Sequence, residues 1–410
     1  MQLVVFEDAG YVNLLPLVYS RATFNLRCGF DNLLAKIETA MARTADSIFV
    51  RKNLAAVMGE RQTRRVNQPV TTDDQLWVNG RLLLRRAIDI PMNSAVWSDD
   101  VLVAARIDRA TGCKLHSQVL ADAGTVRSVL GGLTAAALAE DGGRLIEYPW
   151  QLVEENAAEI RRQAVGLQRI GKAYAGSHLV NEQMIHLGEG ARVKPGAVLD
   201  AEDGPIWIGD NATISPNAVI TGPCYIGEGC VVRPGASISA SSIGMVCKVG
   251  GEIEGTIFHG YSNKQHDGFI GHSYVGEWVN LGADTVGSDL KNTYGNVSVP
   301  INGRAIDSVQ MFVGAFIGDH TKTAIGTKLP TGCVIGYGCN VAASGFVPKF
   351  VPSFSWLTEE GVAQNDPQKA LAVARTVVGR RGRKYSKHEE ALFLCVSEEA
   401  GRHEAPDIRA

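Results

Sequence analysis

In successive runs between Leu187 and Val347 an aliphatic residue (Thr323 excepted) returns at every sixth position, and no other feature of the chain restricts its fold so tightly. Leu187, Val193 and Leu199 make one run; Ile208, Ile214, Ile220, Ile226, Val232 and Ile238 make a second. The register resumes at Val275 and Leu281, then at Ile317, Thr323, Leu329, Ile335, Val341 and Val347. The fifth place of these sixes holds a small residue. Such a period suits neither an α-helix nor an ordinary strand, but it fits a chain wound into triangular coils, three sixes to a coil. The aliphatic side chain fills the prism, and the small one faces inward near a corner where bulk would clash. The expected architecture over 181–352 is a left-handed parallel β-helix.

The cysteines obey the same grammar. There are 8 with no CxxC pair, and Cys224, Cys230, Cys247, Cys333 and Cys339 all stand at fifth places. A buried thiol is a small hydrophobe, so these are expected to pack rather than to bind metal or form disulfides, consistent with a reducing compartment.

Residues 1–150 read differently. Apolar runs at 3–6, 47–50, 76–80 and 101–106 predict strands, and 30–42 predicts an amphipathic helix. Alternation of the two implies an α/β, Rossmann-like sheet with helices on its faces. Residues 151–180 are expected to be a helical linker and 353–410 a helical extension. In that extension Arg380, Arg381, Arg383 and Lys384 form a basic run, read as a solvated face or a salt-bridging interface before an anion site.

Net charge is −3 with a pI near 6.3, which offers no electrostatic footprint for a nucleic-acid partner. No run approaches the roughly 18 apolar residues of a membrane span. The opening MQLVVFEDAG carries acidic residues early and no basic leader, so a buried first strand and a cytoplasmic enzyme are expected.

Two stretches, 255–270 and 286–307, interrupt the six-residue register and are expected to be loops projecting from the prism, where function concentrates. The first contains His259, His266 and His272 beside Tyr261, Asn263 and Lys264. Acyl transfer needs a base with a pKa near working pH, which suits histidine, and donors for the developing oxyanion. The residue types alone do not choose among the three histidines.

The run from Cys224 through VRPGASI and SNKQHDGFIG to LGADT resembles the acetyltransferase half of GlmU, the family of bifunctional glucosamine-1-phosphate acetyltransferases and N-acetylglucosamine-1-phosphate uridyltransferases. The resemblance implies that His266 is the general base, Arg233 a sugar-phosphate anchor with Lys264 and Asn263 beside it, and Ala283 the place where the acetyl-CoA thioester meets the backbone. Phe269 replaces the family's tyrosine, and Ser288 to Asn292 replace its asparagine pair. Asp289, Lys291 and Asn292, with Tyr294, are therefore substrate contacts by position only. A homotrimer is implied as well.

The same resemblance implies a nucleotidyltransferase in the first half, using Mg²⁺ and a nucleoside triphosphate, UTP by preference. The family's glycine-rich first turn is absent: only Gly10 lies there, and Arg21 and Arg27 are expected to bind phosphate instead. Asp8, Asn79 and Gly80 are the other expected nucleotide or sugar-phosphate contacts, with Asp8 and Asp99 as metal ligands. Two readings follow. In one the protein is a bifunctional transferase; in the other an acyltransferase carries a non-catalytic nucleotide- or sugar-binding domain.

Overall fold

The computed structural model describes residues 1–343 and 345–404. Its first half is built on Gln2–Phe6, a strand with parallel partners on both sides, Ser47–Phe49 and Gln75–Asn79. Val101–Ile107 then runs antiparallel to both Gln75–Asn79 and Ser94–Ser98, so the 7-stranded sheet is mixed. The central strands are continuous apolar runs because both faces are covered. The helix predicted over 30–42 is Leu33–Ala40; it starts where the Asn32 side chain accepts from the Ala35 N–H, relieving one of the unpaired amides of its first turn.

The stretch expected as a linker is more than that. Pro149–Gln163 is a helix that buries Trp150, Leu152, Val153 and Ile160. On one side Lys36 Nζ donates to Glu159 Oε2 over 2.7 Å, and on the other Ser242 Oγ donates to Asn156 Oδ1 over 2.8 Å. The helix is thus a strut wedged between the two halves. Prism winding begins earlier than expected, with Lys172–Ala173 and His178–Val180 already paired to later coils.

From there three parallel sheets form the faces of the prism, two of 6 strands and one of 9. The column Ile214, Val232, Val249 is stacked strand on strand, and the fifth-place cysteines are buried within the prism. Burial pushes the thiols of Cys224, Cys333 and Cys339 up to about 12, which keeps them protonated and inert.

One expected loop does not exist. Residues 255–270 stay in the ladder: Ser242 pairs with Ile257, Lys248 with Asn263 and Glu252 with Phe269. The register slips because the coil tightens. The step along the chain from Ser242 to its partner Ile257 is shorter than the step from Ile206 to Cys224 in an earlier coil. The lost residues come out of the corners. The second interruption is a true excursion, since Tyr274 pairs onward with Phe316 only after a much longer stretch of chain. That stretch holds the hairpin Ser298–Ile301 with Arg304–Asp307.

After the last prism strands, Pro367–Gly379 and Lys387–His403 form a helical pair. Leu371, Leu392, Phe393 and Val396 share one buried cluster with Leu14, Phe24, Tyr274, Phe316 and Tyr337. The two halves and the terminal helices therefore pack as one body.

Candidate active site

Lys248–Val249 and Asn263–Lys264 are successive rungs of one face, and the chain turns a corner after each. At that corner the missing Cβ of Gly250 would lie 3.0 Å from Arg233 Cβ and 2.7 Å from the Gln265 carbonyl oxygen. Arg233, Gly250 and Gln265 are thus stacked, and glycine is required between them. One position further along the chain the stacking slips: a Cβ on Gly251 would lie 3.0 Å from the Cα of Asp267, so His266 falls in the turn between the two stacked positions. Asn263 bridges to Asn280 in the next coil, which brings Ala283 above His266. Strand spacing in a sheet is about 4.8 Å. Arg233, His266 and Ala283 therefore share one ridge of the prism, although only the resemblance had linked them.

The imidazole of His266 and the guanidinium of Arg233 are exposed there, and neither has a side-chain hydrogen bond or ion pair among the described residues. Ala283 is half-buried, and its carbonyl accepts from the Gly326 N–H over 2.9 Å.

Lys264 corrects its assignment as a direct substrate contact. It occupies an inward slot, in line with Val249, and is 1% exposed. Its ammonium donates to the carbonyls of Gly250 at 3.1 Å and His266 at 2.8 Å. A cation in an aliphatic column braces the corner that carries His266, and burial lowers its pKa to about 8 against the pull of Asp267 and Asp284.

The other two histidines are separated by their surroundings. His259 faces the first half of the chain, with Nδ1 2.9 Å from the Tyr274 hydroxyl. Burial, then the charges of Arg21 and Arg27, hold its pKa well below the ordinary value. His272 pairs through Nδ1 with Asp289 Oδ2 at 2.8 Å. Asp289 is therefore committed to a histidine and lies across the outer surface of Gly271 beside Phe269. Lys291 is tied to the Asn296 carbonyl, and Asn292 is exposed on the excursion. Asn263 accepts from Arg381 Nη2 over 2.7 Å, which the sequence did not suggest.

In the first half the expected phosphate ligands point elsewhere. Arg21 is 3% exposed and makes a bidentate pair with Asp319, at 3.0 and 2.7 Å, across the boundary between the halves. Arg27 donates to the carbonyls of Phe30 and His259 and lies over the Tyr225 ring. The segment bearing both runs along the β-helix, where carboxylate, carbonyl and ring acceptors satisfy them.

The cleft at the strand ends, about 120 Å³, is lined instead by Asp8, Gly10, Asn13, Arg81, Asp100 and Glu147. There Asp8 accepts from Arg81 at 2.8 and 2.6 Å and from Asn79 at 3.0 Å. The guanidinium of Arg81 lies against Gly10, where any Cβ would collide with it. Asn79 is fully buried, its amide shared among Asp8, the Leu102 carbonyl and the Arg81 N–H. Gly80 packs on Phe24 and donates to the Phe6 carbonyl.

Asp99 sits in the tight turn between Ser94–Ser98 and Val101–Ile107, with φ +49°. Among the described residues no three His, Cys, Asp or Glu side chains converge as a cation site. Asp8, already neutralised by Arg81, does not fit a Mg²⁺ ligand, so the expected pair of Asp8 and Asp99 is not assembled. A hard cation needs charged oxygens free of competing cations.

Residues 3–170 match the family described as sugar nucleotidyl transferase, and residues 205–240 match the bacterial transferase hexapeptide, six repeats. The chain thus joins a segment similar to sugar nucleotidyl transferases to a run of hexapeptide repeats. It is similar to the bifunctional protein GlmU of Methanococcus aeolicus, 33% identical over 220 residues, which is 52% of this chain and 47% of that protein. GlmU of Methanococcus vannielii is 31% identical over 106 residues, 26% of this chain and 25% of that protein.

The bifunctional sugar-1-phosphate nucleotidylyltransferase/acetyltransferase of Sulfurisphaera tokodaii is 35% identical over 92 residues, 22% and 23% of the two chains. The matches thus span from about a quarter to just under half of these relatives. A solved UDP-N-acetylglucosamine acyltransferase from Campylobacter jejuni aligns over 55% of this chain and 96% of its own, at 14% identity and a TM-score of 0.26. At that score it adds nothing to the ladder described above. No helix among the described residues is long and apolar enough to cross a membrane.

Proposed function

We propose that the ridge of Arg233, His266 and Ala283 transfers an acetyl group from acetyl-CoA to a sugar phosphate. The observation that carries this reading is an exposed imidazole on a rigid, glycine-lined corner, with an unpaired guanidinium on the same ridge. Arg233 would hold the phosphate through paired N–H donors. His266 would take the proton of the acceptor amine or hydroxyl as it attacks the thioester carbonyl. The tetrahedral intermediate then collapses, the C–S bond breaks, and the CoA sulfur leaves as a thiol with the proton that His266 carried. The thioester would approach the backbone at Ala283.

The ridge is open to solvent in one chain, and a neighbouring prism in a homotrimer would close it. A cytoplasmic location fits acetyl-CoA and a sugar phosphate as substrates. His266→Ala tests the assignment: CoA release should vanish while sedimentation is unchanged, and normal turnover would remove His266 from its role.

For the domain at 3–170 the family reading is transfer of a nucleotide, UTP as donor, to a sugar 1-phosphate. Asp8 does not fit a Mg²⁺ ligand in this state, because Arg81 and Asn79 saturate it. That same saturation favours a second reading, in which this domain binds a nucleotide or sugar without catalysis. Pyrophosphate release from nucleoside triphosphates and sugar 1-phosphates with Mg²⁺ separates the two, and none across a broad panel would leave the second.

A further inference from the structure

A cavity of about 360 Å³ opens where the first half, the β-helix and the terminal helices meet. One wall is a corner of the prism unlike the others. The equivalent turns at Gly229 and Gly338 use glycine, with φ +64° and +65°, but Tyr261, Trp278 and His320 hold φ of +53°, +61° and +61° there. That conformation is strained for bulky side chains. The result is a ladder of rings: Tyr261 on Trp278 at 4.5 Å and 15°, then Trp278 to His320 at 6.4 Å and 10°.

The polar lining is unevenly satisfied. Asp319 and Glu277 are neutralised by Arg21 behind the wall, and Arg61 pairs with Glu389. Arg383 and Lys384, from the turn between the terminal helices, have no ion pair among the described residues. Arg383 lies beside the ladder, 5.0 Å from the Tyr261 ring centre and 5.8 Å from that of Trp278. His320 is 5% exposed, and its Nδ1 is buried without a hydrogen-bond partner. An adjoining cavity of about 340 Å³ shares Arg61 and Glu277 with the first.

We infer that this junction cavity binds a small phosphate ester. Its phosphate lies between Arg383 and Lys384 at the mouth, and its organic part lies along the Tyr261 end of the ring ladder. Two unpaired cations call for an anion. The cavity has the size of an organic-ligand pocket, whereas a free phosphate would leave most of that volume and the half-buried Tyr261 ring unused. The site is separate from the His266 ridge, since neither Arg233, His266 nor Ala283 lines the cavity.

Calorimetric titration of the full chain with UMP, glucosamine 1-phosphate, CoA and inorganic phosphate tests this. The measurements are repeated on the double variant Arg383→Ala/Lys384→Ala, whose side chains lie at the surface and need not disturb folding. At least one ester should bind ten-fold or more weakly to the double variant, should bind more weakly as salt rises, and should be unaffected by His266→Ala. Which ester responds identifies the source of the phosphate. Equal binding by the double variant, equal affinity for inorganic phosphate, or no binding by any ester would overturn the proposal. His266→Ala abolishes only the acetyl transfer proposed above, so failure of one reading leaves the other measurable.

Discussion

The strand-end cleft of the first half and the His266 ridge both collect charged and polar residues that resemble parts of a transferase, yet their physical states are opposite. In the cleft, Asp8, Asn79 and Arg81 satisfy one another so fully that little hydrogen-bonding capacity is left over. On the ridge, Arg233 and His266 project from a stiff scaffold with no side-chain partner among the described residues. A saturated network holds a fold together, whereas an unsaturated one held rigidly in place is ready for a ligand. Residue types alone do not distinguish the two.

The largest effect expected from this contrast is catalytic. His266→Ala should lower CoA release by roughly 10²–10⁴-fold with the unfolding midpoint unchanged; a shift in the midpoint instead would make His266 structural. Next comes Arg81→Ala, which strands the Asp8 carboxylate in a largely buried site. Unfolding in urea should show a loss of about 3–5 kcal/mol, and a variant as stable as the parent would put the cleft in the same class as the ridge.

Lys264→Met tests the brace under the ridge through pH. The folded pKa is about 8 and the unfolded value about 10.4. Between them the unfolded chain holds a proton that the native state has released, so the contribution of Lys264 to stability rises with pH over that window. The parent should therefore gain on Lys264→Met by up to about 3 kcal/mol from pH 8 to above 10; a constant difference would mean that the ammonium is not desolvated. The smallest stability effect belongs to Arg233→Ala. Unfolding should change by no more than about 0.5 kcal/mol, while KM for the sugar phosphate rises by the loss of a charged hydrogen bond worth about 1.5–3 kcal/mol.

Much of the prism was legible in advance because its signal is local and repeated. Each aliphatic place from Ile208 to Ile238 is buried as its register requires. The stretch 255–270 was misread for an equally local reason. A slipped period looks the same whether residues are added as a loop or removed from the corners, and only the pairing of Ser242 with Ile257 distinguishes them. Lys264 was misplaced because an inward lysine violates the pattern, and its carbonyl partners come from the fold of the turn itself. Arg21 and Arg27 were expected in the cleft because their chemistry suits phosphate. Which side of the segment faces the β-helix is invisible in a single strand of text.

By itself the sequence determined the coil and its inward column, because a six-residue period acts between neighbours along the chain. Only the tertiary structure decided which charges are paired and which are left free. Arg21 and Asp319 are 298 residues apart in sequence, and Arg383 reaches rings that belong to a different part of the chain. Ion pairs and burial are set by distances in space, and a linear pattern holds no record of those until the halves have packed.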